Sequence, residues 1–172
     1  MNPRSKKPLI IPITATVLIA SLTIMLFFSA QNIQVEIPPQ PTVKPNLSRE
    51  GSSFSGYIDV TIPVNVSNQS PATLENIRIE AILSIVSIET FGLFPDMPIL
   101  NVSHRIKQID PYEYYQLSLN INVSSWIFIL AIMDAYLVID IEIFLDYHWA
   151  TISYPFHWVG RVQGAWEAPF AL

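Results

Sequence analysis

The sequence has no cysteine. That excludes a disulfide frame, a thiolate metal site and a cysteine nucleophile. A core of roughly 120 residues folds without such staples, so the compartment stays open. Glycine is scarce, at 5 of 172 residues. No P-loop, G-x-G-x-x-G or G-x-S-x-G elbow is present, nor is H-E-x-x-H. Charge is also sparse: 13% of residues are charged, against about 25% in an average soluble domain. Basic residues are the rarer sign. From Gln31 onward there are 6 of them (Lys44, Arg49, Arg78, Arg105, Lys107, Arg161) against 14 acids, a net of −8. An acidic segment without a basic stripe argues against nucleic acid and anionic lipid heads as partners.

What is abundant is apolar, at 51% of residues. Leu9 to Ala30 reads LIIPITATVLIASLTIMLFFSA and carries no charge over 22 residues. About 20 helical residues cross ~30 Å of hydrocarbon, so this run is long enough to span a bilayer. Pro12 falls near its start, where a helix tolerates proline. Arg4, Lys6 and Lys7 precede the run. The positive-inside rule then puts residues 1–8 in the cytoplasm as a basic tip and residues 31–172 outside, in a single-pass topology. A cleaved signal peptide is the competing reading. Its hydrophobic region is typically ~7–15 residues before an A-x-A-like site; here the run is longer and Phe28 occupies the first small-residue position.

The prolines of IPPQPTVKP (37–45) favour an extended backbone. Residues 31–50 therefore read as a stalk, with Ile33, Val35 and Ile37 able to form a first strand instead. Beyond them the period is two. Ile58, Val60, Ile62, Val64 and Val66 share one face, opposite Asp59, Thr61, Pro63, Asn65 and Ser67. Pro63 cannot donate to a ladder, which predicts an edge strand. Residues 77–85, 104–109, 116–123, 136–147 and 151–159 continue as strands. Residues 91–101, with Gly92, Pro95 and Pro98, read as a loop, and Ser125–Met133 as a short helix or turn. Trp126–Leu145 is not a second span, because it contains Asp134, Asp140 and Glu142. The expected fold is all-β, an immunoglobulin-like two-sheet sandwich over 51–159, with an apolar aromatic tail over 160–172.

Four segments resemble the group-2 late embryogenesis abundant (LEA-2, or WHy) domain: VTIPVNVSNQSP (60–71), NIRIEAILSI (76–85), IKQIDPYEYYQLSLNINVSSW (106–126) and DAYLVIDIEIFLDYHWATISYPF (134–156). The resemblance covers residues 57–159. Gln69-Ser70 replace the family's usual glycine after the first strand. It implies a sandwich behind a single membrane span, with stress or envelope roles and no catalysis. Its motif is structural, so it carries no functional residue over.

Five N-x-[S/T] sequons lie beyond the apolar run, at Asn46, Asn65, Asn68, Asn101 and Asn122. Random placement gives only about one, which points to glycosylation in a translocated segment. His104, His148 and His157 lack metal-ligand spacing. Asp140, Glu142 and Asp146 share one strand face, where carboxylates ordinarily serve solubility. Trp158, Trp166 and Phe170 are the candidates for contact with a partner or with the membrane.

The expectation is a non-enzymatic, membrane-anchored extracytoplasmic glycoprotein. It has no cofactor and meets lipid through residues 9–30. It would be a structural or interaction subunit of a cell-envelope assembly, and the isoleucine-rich, sequon-rich composition suggests an archaeal surface protein. A stator-like or pilus-associated subunit is the runner-up. A ligand-binding or hydrolytic domain using 91–101 and the acidic face is the alternative of another class.

Overall fold

The computed structural model describes residues 20–21, 32–39, 41–88, 92–124, 126–149 and 151–170. Apart from Ala20 and Ser21, the expected anchor at 9–30 lies outside these residues. No helix among the described residues is long and apolar enough to cross a membrane.

The strands are β1 (Ile33–Glu36), β2 (Thr42–Glu50), β3 (Ser53–Asn68), β4 (Thr73–Ile88), β5 (Gly92–Ile109), β6 (Tyr114–Val123), β7 (Ala135–Trp149) and β8 (Ile152–Trp166); α1 (Ile127–Ile132) precedes β7. They form two antiparallel sheets. In sheet A, β3 pairs with β1, β2 and β6; sheet B has the order β5-β4-β7-β8. The chain is an all-β two-sheet sandwich.

Period-two patterning builds the core. Ile58, Val60, Ile62, Val64 and Val66 of β3 are all buried, as are Leu117, Leu119, Ile121 and Val123 of β6. They face Ile77, Ile79, Ala81, Leu83 and Ile85 of β4 and Ile139, Ile141, Ile143 and Leu145 of β7. β-Branched side chains suit this pleated, one-sided surface.

Proline placement follows the hydrogen-bond ladder. Pro45, Pro98 and Pro155 lie on β2, β5 and β8, all at sheet edges, where a missing N–H costs least. Pro63 does not mark an edge strand: β3 is flanked by β6 on one side and by β1 and β2 on the other. Yet β1 pairs only with residues 65–68 and β2 only with 53–61, so Ile62–Val64 has no registered partner on that side. β1 ends at Glu36 and β2 begins at Thr42, on either side of this gap. The prolines predicted to make a stalk thus interrupt a sheet edge, and β1 and β2 are its two halves. Their alternation is weak because β2 is exposed along most of its length.

Two other expectations change. The segment 91–101, expected as a loop, supplies the first half of β5 from Gly92 onward. It is an edge strand that accommodates Pro98 at a register shift opposite Leu83/Ser84. The last strand continues through residues assigned to the tail, to Trp166. Trp126–Leu145 forms α1 and most of β7.

Candidate interaction surfaces

The two outer faces of the sandwich differ in chemistry. On sheet A, β3 presents Asp59, Thr61, Asn65 and Ser67 beside Asn122, Asn120, Gln116 and Tyr114 of β6. Thr61 Oγ1 donates to Asn120 Oδ1 at 3.1 Å, and Asn122 Nδ2 to Asp59 Oδ1 at 2.9 Å. Three of the sequon asparagines share this face: Asn46 stands opposite Tyr57, Asn65 opposite Gln116 and Asn122 opposite Asp59. Asn46 and Asn122 are exposed, while Asn65 is half-buried, with its Oδ1 buried and lacking a hydrogen-bond partner. Asn101 is exposed on β5, opposite the outward Ile82.

Asn68 departs from the other four. It is fully buried at the crossover from sheet A to sheet B. Its Nδ2, the atom a glycan would occupy, donates to the carbonyls of Ala72 at 2.7 Å and Asp110 at 3.0 Å. Its Oδ1 accepts from Ser70 N at 3.2 Å and Ser70 Oγ at 2.6 Å. Its backbone N–H donates to the Glu113 carbonyl. One side chain thereby ties together both crossovers at this end: it gives the buried Ser70 N–H and hydroxyl an acceptor and adds a donor to carbonyls that also receive Ser70 Oγ at 3.5 Å and Glu113 N–H at 3.2 Å. Asn68 is a structural residue, and the folded domain leaves no room for a sugar there. The Asn-x-Ser pattern does not reveal this, because Asx turns use the same residues.

Sheet B is charged outside. Arg161 makes a two-point bond to Asp140, at 2.6 and 2.9 Å. His157 Nε2 lies 3.0 Å from Glu142 and its ring stacks on Phe144 at 4.3 Å. Arg78 lies over the other side of this aromatic row, 4.6 Å from the Phe144 centroid, with its Nε 3.2 Å from Glu80. Asp146 accepts from Asn76 Nδ2 at 2.8 Å. The three acids singled out in the sequence are therefore each engaged by a guanidinium, an imidazole or an amide. No three His, Asp or Glu side chains cluster as a metal site among the described residues. His104 is exposed on β5 and His148 lies on β7 beside Thr73, well apart from His157 in register.

Concavities also open among the described residues. One, of about 490 Å³, opens between β4 and β5 and is lined by Asn76, Arg78, Arg105, Lys107 and Phe144. Another, of about 380 Å³, lies between the β2 and β8 edges against Val60, Leu83, Ile139, Val162 and Trp166. Gly164 sets the second: it occupies an inward position on β8, where an added Cβ would meet open space.

The aromatic residues expected to contact a partner are part of the fold. Trp166 is 7% exposed and its indole N–H donates to the Leu130 carbonyl at 2.7 Å. Phe170 is half-buried, 5.7 Å from Phe54, with its N–H bonded to Ala131. Trp158 is half-buried against the core, with its ring over Gly160. Side-chain size alone does not separate buried aromatics from surface anchors; the return of residues 166–170 onto α1 buries Trp166.

No protein-family model matches the chain, and no curated protein matches it.

Proposed function

We propose that the protein is a non-enzymatic, membrane-anchored extracytoplasmic β-sandwich serving as a structural or interaction subunit of a cell-envelope assembly. The observation that carries this reading is the uncharged 22-residue run, which ends two residues before a sandwich begins. A basic tip before the run favours a cytoplasmic N-terminus. Exposed sequons at Asn46, Asn101 and Asn122 fit a translocated domain. A stator-like or pilus-associated role is one form of the same reading.

The sandwich is assigned to the immunoglobulin-like class. β1 with β2, then β3 and β6, correspond to strands A, B and E; β5, β4, β7 and β8 correspond to C′, C, F and G. The LEA-2 resemblance belongs to the same proposal: its Asn-containing turn falls at Asn68, where the side chain closes the crossover.

Purification of the full chain from native membranes tests the role. The expected result is membrane-bound, glycan-modified protein in a complex larger than the 19.5 kDa chain. Recovery as a lone, unmodified chain contradicts it.

A second reading, a ligand-binding domain, is favoured by the groove at Arg78, Arg105 and Lys107. Arg78 and Arg105 stand directly opposite each other, an unfavourable like-charge pairing that a bound anion would relieve. Calorimetric titration with inorganic phosphate distinguishes it: saturable heat lost in Arg105→Ala supports the ligand binder, and no heat removes it.

A further inference from the structure

Four exposed tyrosines gather at one end of the sandwich. Tyr112 and Tyr114 are 72% and 75% exposed, Tyr154 57% and Tyr115 37%. Tyr114 and Tyr115 stand opposite Ser67 and Val66, where β3 finishes. Tyr154 stands opposite Tyr147, which pairs on its other side with Leu74, just after the crossover. Asn32 is at this same end: its carbonyl accepts from Gln69 N–H at 3.0 Å, and Ile33 stands opposite Asn68. Only Gln31 separates Asn32 from Ala30, the last residue of the uncharged run. Each residue spans at most ~3.6 Å, so about 7 Å of chain joins the run to the tyrosine-bearing end.

Tyr112 adds an independent sign. Its φ is +63°, a left-handed conformation that L-residues other than Asn and Asp seldom adopt and that glycine takes without cost. Its ring is mostly solvated, so packing within the domain does not offset the strain. The charges nearest in sequence are Asp110 and Glu113, and no Lys or Arg occurs in residues 66–72, 110–115 or 149–154. This end is aromatic and acidic. Such a surface suits the headgroup layer of neutral or zwitterionic lipid, where tyrosine's apolar ring and polar tip are both accommodated, and disfavours anionic lipid.

We propose that the sandwich sits directly on the bilayer, with Tyr112, Tyr114, Tyr115 and Tyr154 in the interface of a zwitterionic lipid surface. The proposal rests on the reading of residues 9–30 as an anchor.

The absence of cysteine permits a direct test by single-site labelling. The full chain carrying Tyr112→Cys, or Phe128→Cys on α1 at the opposite end, is labelled with an environment-sensitive fluorophore. It is reconstituted into phosphatidylcholine vesicles, which are isolated by flotation. Emission is read with and without lipid spin-labelled near the headgroup. The expected result is blue-shifted emission at position 112, quenched several-fold more than at position 128. Solvent-like, equally unquenched emission at both positions on floated vesicles overturns the seating and leaves the anchor standing. Failure to float overturns the anchor and the seating with it. Quenching that appears only after phosphatidylglycerol replaces phosphatidylcholine overturns the zwitterionic assignment. In a Tyr112→Gly background, a probe at Tyr114→Cys should lose part of its quenching; unchanged quenching overturns the role of Tyr112.

Discussion

The two ends of the sandwich are closed by opposite chemistry. At the Asn68 end, buried amide and hydroxyl groups pin two crossovers through backbone carbonyls, and tyrosines project outward. At the other end, Ile127, Leu130 and Ala131 of α1 plug the gap between sheets; Trp166 and Phe170 donate to the Leu130 and Ala131 carbonyls, and Ala168 N–H to Asp134 just beyond the helix. Phe54 meets Phe128 and Phe170 there, at 5.6 and 5.7 Å. A polar plug fixes geometry, because each bond has a direction; an apolar plug excludes water without specifying orientation. The end held by a buried side-chain amide is also the one at which β1 begins, shortly after the uncharged run.

Substitutions at each end sharpen the contrast. Leu130→Ala opens a cavity under α1 and should cost about 2–5 kcal/mol in chemical denaturation. Asn68→Ala takes the acceptor from the buried Ser70 N–H and hydroxyl and the shortest bond from the Ala72 carbonyl, for a cost of about 2–4 kcal/mol. A loss well below 1 kcal/mol would break the claim that a polar plug holds this end. Tyr112→Gly should act in the opposite direction, raising stability by up to about 1 kcal/mol in thermal melts as the left-handed strain is relieved. Asp140→Asn, on the sheet B face away from both ends, should cost less than about 1 kcal/mol and less still at high salt. The Arg161–Asp140 pair is substantially solvated, with side chains 53% and 27% exposed.

Much of the sandwich was legible in the sequence. The alternation in 58–66, 117–123 and 137–145 identified the buried faces of β3, β6 and β7, because one-sided burial requires a period of two. The short helix was legible from its compact apolar run after two serines. The first half of β5 and β2 were not, and β1 stood only as an alternative to the stalk. Their prolines and weak alternation read as loop and stalk, and only the sheet order shows that the edge tolerates both. At Asn68 the same letters that mark an acceptor site mark a buried turn. Burial depends on where Asp110–Glu113 folds back, some forty residues away in the chain. The inward packing of Trp166 was not legible for a related reason: its indole donates to the Leu130 carbonyl, and the sequence does not indicate that β8 extends that far.

The central claim is sidedness: the sandwich lies outside the membrane and the basic tip inside. Single cysteines at Ser118, exposed on the sheet A face, and at Ser5 in the tip allow a direct measurement with a membrane-impermeant maleimide on intact cells. The account predicts that Ser118→Cys is labelled at once and Ser5→Cys only after permeabilisation. Labelling of Ser118→Cys only after permeabilisation would contradict it.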